Sequence, residues 1–167
     1  MSKIYFYELR RAVLNKFFIG LWAVCLFFGW QTLTSETIQG ISNTAPFSSW
    51  SFGSYTAGIL PLLGTALLLL LHRLYSGKAR EVQVLTKAAP VQANKLLACQ
   101  CAAVLTAWCL LALTMLLLGI IFLAVLFGGA VRPLSLLAPA VLVLVPALVF
   151  ITGLGLTAGK IHPSLFY

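Results

Sequence analysis

The side chains best suited to acid–base or redox chemistry are scarce in this sequence. It contains no Asp, and its three Glu residues lie outside the long apolar runs. Intramembrane proteolysis, proton pumping and redox chemistry each need a buried acid, a histidine, a Ser–His pair or cofactor ligands. A GxxxxGK[ST] phosphate loop is also absent. We therefore predict that the chain is not an enzyme, hydrolyses no ATP itself and binds no cofactor.

The four cysteines are the remaining candidates for metal chemistry. They lie in or beside apolar runs, at Cys25, Cys99, Cys101 and Cys109. On a helix, two residues at positions i and i+2 diverge by about 200°, so Cys99 and Cys101 do not easily share one metal. We interpret all four as small, reduced packing residues and predict no metal site.

One polar, basic segment, from Arg73 to Lys95, separates two long apolar runs. Its central part, 76–90, predicts a two-faced helix. The apolar face carries Val82, Leu85 and Ala89, and the opposite face carries Arg80, Gln83 and Lys87. Glu81 falls within the apolar arc. Such a helix is able to dock a cytosolic protein or to rest its basic side on lipid headgroups, and periodicity leaves both alternatives open.

Composition identifies the environment that these segments need. The chain is 61% hydrophobic and 8% charged, with a mean hydropathy of +1.03. Four runs approach or exceed the roughly 20 apolar residues that a membrane-spanning helix requires, namely 17–33, 55–74, 96–127 and 134–157. Alternating strands of a membrane barrel are absent. The sequence therefore predicts an all-α integral membrane protein, with residues 1–167 forming a single transmembrane domain.

The third run is too long for a simple crossing. As a helix, 96–127 would extend about 48 Å, against a hydrocarbon core of about 30 Å. A strong tilt, protrusion through 96–100 into the cytosol, or a break near Gly119 would each accommodate it.

Residues 1–16 predict a separate amphipathic helix in the cytoplasmic membrane interface. Tyr5, Leu9 and Val13 recur at i, i+4 and i+8, with Phe6 and Ala12 beside them. A cleavable signal peptide is disfavoured because no A-x-A-like site follows.

The cations predict the orientation. Four spans alternate sides, which puts ten of the eleven cations on one face and leaves Arg132 on the other. The positive-inside rule makes that face cytoplasmic, so both termini face the cytosol in a multi-pass plasma-membrane protein. We predict that membrane-surface basic residues attract anionic lipids, namely Lys3, Arg10, Arg11, Lys16, Arg73, Lys87 and Lys95. We expect no nucleic-acid binding, because the cations are divided between membrane-proximal segments.

The segment after the second span reads Arg80-Glu81-x-x-x-Leu85-x-x-x-Ala89-Pro90-Val91, and Lys95-Leu96-Leu97-Ala98 leads into the third. With the preceding interfacial helix, span, outer loop and span, this order resembles the first half of a type-2 ATP-binding-cassette (ABC) transporter permease. The family usually has six spans, and four are present here. The resemblance implies an exporter made of two permease units, identical or different, and ATPase subunits that bind the ATP.

The same resemblance implies that the helix at 76–90 is a coupling helix, which docks on a separate ATPase subunit. Its docking residues would be Arg80, Glu81, Val82, Leu85, Ala89 and Pro90. The alternative interpretations are a non-transporting membrane scaffold or accessory subunit, or a truncated inactive permease.

Overall fold

The computed structural model describes residues 2–40, 44–75, 93–128 and 131–161. Within these ranges the chain is helical and contains no strand. Its helices are α1 (Ser2–Val13), α2 (Lys16–Ser35), a short 3-10 helix (Thr37–Gln39), α3 (Ser49–Tyr75), α4 (Ala93–Phe127) and α5 (Pro133–Ile161). The four helices α2 to α5 are long and apolar enough to span a membrane. The prediction of an all-helical chain with four apolar helices of membrane-spanning length is confirmed in these ranges.

Helix α3 begins at Ser49, earlier than the predicted span 55–74. The Oγ atom of Ser48 accepts a hydrogen bond of 3.2 Å from the backbone N–H of Ser51, which caps a helix beginning at the next residue. The extra turns bring Phe52 into the core, where its side chain is fully buried.

Helices α2 and α4 run in the same direction. The indole N–H of Trp22 donates to Oγ1 of Thr114 at 3.0 Å, and the ring of Trp30 packs edge-on against Phe122 with centroids 5.4 Å apart. Both contacts join residues 92 positions apart, so the two helices keep one parallel register.

Helix α3 runs opposite to α4. Near the start of α3, the hydroxyl of Tyr55 donates to the backbone carbonyl of Met115 at 3.0 Å. Further along α3, the carbonyl of Leu63 accepts from the indole N–H of Trp108 at 2.8 Å. Residue numbers therefore rise along α3 as they fall along α4.

Helix α5 lies beside α3 and runs parallel to it. A Cβ added to Gly53 would lie 3.5 Å from Cβ of Pro139, and one added to Gly64 would lie 2.9 Å from Cδ1 of Ile151. Consecutive spans therefore alternate in direction. The starts of α2 and α4 and the ends of α3 and α5 lie at one end of the bundle.

Helix α4 is continuous from Ala93 to Phe127, so the break considered near Gly119 does not occur. Gly119 has a packing role instead. A Cβ at this position would lie 2.9 Å from ring atoms of both Phe52 and Tyr55. The missing side chain lets the aromatic pair of α3 approach the α4 backbone, which is how small residues bring membrane helices together.

Candidate functional site

The end of the bundle where α2 and α4 begin and α3 and α5 finish is called the cationic end. Its described cations are Lys3, Arg10, Arg11, Lys16, Arg73, Lys95 and Lys160. The opposite end is called the distal end, where the described charged residues are Glu36 and Arg132. The relative arrangement of the charges thus follows from helix direction. The assignment of the cationic end to the cytoplasm stays a prediction.

The predicted docking residues lie outside the described part of the chain. They are Arg80, Glu81, Val82, Leu85, Ala89 and Pro90, and Lys87 lies outside it with them. The helices on either side of this segment locate its two ends. Helix α3 finishes at Tyr75, and α4 begins at Ala93. Both positions belong to the cationic end.

At the cationic end, α1 packs along the first part of α4. The partly buried side chains of Leu9, Ala12 and Val13 contact the hydrophobic core. Above them, the hydroxyl of Tyr5 donates to Oγ1 of Thr106 at 3.1 Å. The stripe predicted at 5, 9 and 13 therefore exists, and it faces protein. The interfacial location of this helix stays a prediction.

A second polar contact joins the same two helices. The side-chain amide of Gln100 donates to Oε1 of Glu8 in a long hydrogen bond of 3.4 Å. The only acid of α1 is thus turned toward α4 and away from the neighbouring cations. Sequence periodicity did not single out Glu8. Two signals were available in the sequence. Glu8 lies beside the apolar stripe of α1, and Gln100 is a polar residue in the mainly apolar third run.

The contact with α1 also explains the length of α4. The offset of 92 residues between α2 and α4 puts Lys16, the first residue of α2, level with Trp108. Residues 93–107 therefore continue beyond the start of α2 at the cationic end. Helix α1 covers this extension through Gln100 and Thr106. Protrusion of 96–100 into the cytosol stays a prediction.

Most predicted surface cations that the structure describes are exposed. These are Lys3, Arg10, Arg11, Lys16 and Lys95, whereas Arg73 lies in the last turn of α3. The cationic end is therefore suited to binding anionic or protein surfaces.

A polar cleft of about 370 Å³ lies at the distal end, between the end of α2, the 3-10 helix and the start of α3. It is lined by Ser35, Glu36, Thr37, Gln39, Gly40, Ser51, Ser54 and Tyr55. Gly40 makes the turn that shapes it, since its φ of 69° is one that glycine adopts without strain. This cleft was not predicted from the sequence. The available signal was the Ser- and Thr-rich stretch 34–54.

Hydroxyl groups in the cleft bond mainly to one another and to the backbone. Ser51 donates to the carbonyl of Ala45 at 3.0 Å and accepts from Ser48 at 3.1 Å. In the described ranges, no group of three or more His, Cys, Asp or Glu residues is placed to hold a metal. The cleft thus offers hydrogen bonds and one exposed carboxylate, and it shows no catalytic arrangement.

No protein-family model, curated protein or solved structure matches this chain. Its function must therefore be argued from the chain's own features.

Proposed function

We propose that this chain is the membrane-spanning permease subunit of an ATP-driven exporter similar to type-2 ABC transporters. In this proposal, the segment 76–90 is a coupling helix that docks on a separate ATPase subunit. The observation that supports it is the alternation of four spans around one cationic end. The segment 76–92 connects α3, which finishes at that end, to α4, which begins there.

The charge pattern of the segment supports a protein partner. An acid within an apolar arc is costly to bury unless a cation or N–H donors meet it. A docked ATPase surface would supply such groups to Glu81 while covering Leu85. An anionic lipid surface would instead repel this carboxylate.

The proposal includes a second permease unit, identical or related. Lipid-exposed or partner-exposed apolar surface is abundant on α5, where Leu142, Val149 and Phe150 are largely exposed. Transport would take place in the plasma membrane with the cationic end in the cytosol. The second unit and the location both derive from the resemblance and from the cation distribution.

The docking proposal predicts that Leu85→Ala and Glu81→Lys lower recovery of the ATPase while membrane insertion stays normal. Burial of a leucine side chain contributes about 1–3 kcal/mol, so Leu85→Ala would weaken docking by about five- to 150-fold. Glu81→Lys would add repulsion against a cationic partner site. The measurement is quantitative mass spectrometry of a protein carrying GxxxxGK[ST] that co-purifies with the tagged chain from native membranes.

Lys87→Gln is the matched control, because it lies on the opposite face of the same predicted helix. It should leave ATPase recovery near that of the unmodified chain. The reverse order, with Lys87→Gln sensitive and Leu85→Ala silent, would favour a scaffold resting on lipid. Absence of any ATPase with the unmodified chain would refute the coupling-helix assignment.

A further inference from the structure

Helix α1 has two unlike faces, and α4 uses only one of them. The inner face packs on α4 through Leu9, Ala12 and Val13 and bonds to it through Tyr5. These are the residues that an isolated amphipathic helix would bury in lipid. Because α4 already covers them, any contact of α1 with the membrane involves its other face.

The outward face of α1 mixes cations with large apolar side chains. It comprises Lys3, Phe6, Tyr7, Arg10 and Arg11, which at 100° per residue lie within an arc of about 140°. Leu14, just after the last residue of α1, continues this face, since its backbone N–H donates to the carbonyl of Arg10 at 2.9 Å. Phe6, Tyr7 and Leu14 are 65%, 66% and 65% exposed. The neighbouring Glu8 is turned toward Gln100, so the described part of this face carries no acid.

The same mixture of cations and large apolar side chains continues beyond the end of α1 into the start of α2. Lys16, its first residue, is exposed, and the ring of the following Phe17 is 45% exposed. Cations and rings therefore alternate from the start of α1 to the start of α2. This continuity forms one surface, which we call the α1 outer face.

We propose that the α1 outer face binds the headgroups of anionic phospholipids. The apolar side chains would enter the boundary between headgroups and acyl chains, and Lys3, Arg10 and Arg11 would reach phosphates above them. Charge complementarity supports this occupant, because the face has only positive charges among its described residues. A nucleic acid would use the cations and leave the exposed aliphatic Leu14 in water.

The hydrogen bonds to α4 define how this surface would operate. Many interfacial helices fold only when lipid receives their apolar face. Here the inner face packs on α4 instead, so α1 is a preformed platform that presents cations at fixed spacing. Anionic lipid would then bind without any gain of helix. This proposal is independent of ATP-driven transport and would hold equally for a scaffold.

The test uses the purified full-length chain in neutral detergent, titrated with dioleoyl phosphatidylglycerol or dioleoyl phosphatidylcholine. Bound lipid is counted by native mass spectrometry. The variant Arg10→Gln/Arg11→Gln should lose affinity for phosphatidylglycerol by about fivefold per cation, hence about 30-fold, because each cation near an anionic surface contributes about 1 kcal/mol. Binding of phosphatidylcholine should stay the same, and inorganic phosphate should not displace the bound lipid.

Arg132→Gln is the matched control, since Arg132 is exposed at the distal end. It should leave phosphatidylglycerol affinity unchanged. Lys3→Gln alone, which removes one exposed cation, should lose about fivefold and covers the case in which the double variant does not fold.

Three outcomes would overturn the proposal. One is an unchanged affinity in Arg10→Gln/Arg11→Gln, and another is an equal loss in Arg132→Gln, which would indicate attraction by net charge alone. The third is a loss of ATPase recovery with lipid affinity intact, which would make the α1 outer face a protein-docking surface. Slow hydrogen exchange at the amides of Ser2–Val13 that appears only after phosphatidylglycerol is added would refute the preformed platform.

Discussion

Helices α4 and α5 are similar as sequences, and the structure uses them differently. Both are long, apolar and free of acids. Helix α4 contacts α1, α2 and α3, whereas α5 packs almost entirely on α3. Within the most apolar 18-residue stretch of each helix, 33% is buried inside the protein in α4 and 17% in α5. Hydrophobicity alone therefore does not indicate how much of each helix is buried in this bundle.

The difference lies in where the polar groups are directed. On α4, Thr114 and the carbonyl of Met115 accept from other helices, and Trp108 donates to another. On α5, the hydroxyls of Ser135, Thr152 and Thr157 donate to carbonyls of the same helix or of the residue just before it. In lipid, apolar area adds little to helix association, so close packing and hydrogen bonds between helices determine the neighbours.

Substitution of one glycine in each helix should give the largest contrast. Gly119→Ala in α4 would put a Cβ 2.9 Å from the buried rings of Phe52 and Tyr55, and such overpacking costs about 1–3 kcal/mol. Gly153→Ala in α5 meets no atom within 4 Å. Thermal unfolding in detergent should show a lower midpoint for the first variant and no decrease for the second.

Equal thermal unfolding midpoints for the two alanine variants would contradict this contrast between α4 and α5. That result would mean that the α3–α4 interface is no tighter than the outward surface of α5.

A smaller effect is expected from one hydroxyl group. Tyr55→Phe removes the donor to the carbonyl of Met115 and leaves the ring in place. Interhelical hydrogen bonds in membranes contribute about 0.6 kcal/mol on average and at most about 1.7. Tyr7→Phe, on an exposed ring, is the control and should change nothing. Identical unfolding midpoints for both variants would show that hydrogen bonds do not distinguish α4.

Much of the fold was accessible from the sequence. Run length predicted four membrane-spanning helices, and periodicity indicated the stripe of α1 at Tyr5, Leu9 and Val13. The partner of that stripe could not be predicted from the sequence, because the same apolar side chains pack equally well on lipid and on an apolar helix. The start of α3 was missed because Ser48 and Ser51 are typical of loops as well as of helix caps.

The features of the candidate site were likewise only partly predictable from the sequence. The clustering of cations at one end follows from span number and direction, which the sequence indicates. The turning of Glu8 toward Gln100 depends on how two helices pack, and periodicity does not specify it. The coupling helix and its docking residues stay a prediction, since 76–90 lies outside the described residues.

The central claim is that the cationic end faces the cytosol, where it would meet both the ATPase and the anionic leaflet. The direct test is cysteine labelling in intact cells with an impermeant maleimide, using Gln39→Cys at the distal end and Lys95→Cys at the cationic end. Both positions are exposed, and the unmodified chain measures labelling of the native cysteines. The account predicts that Gln39→Cys is labelled from outside and that Lys95→Cys is labelled only after permeabilisation. Labelling of Lys95→Cys in intact cells, with Gln39→Cys protected, would contradict it.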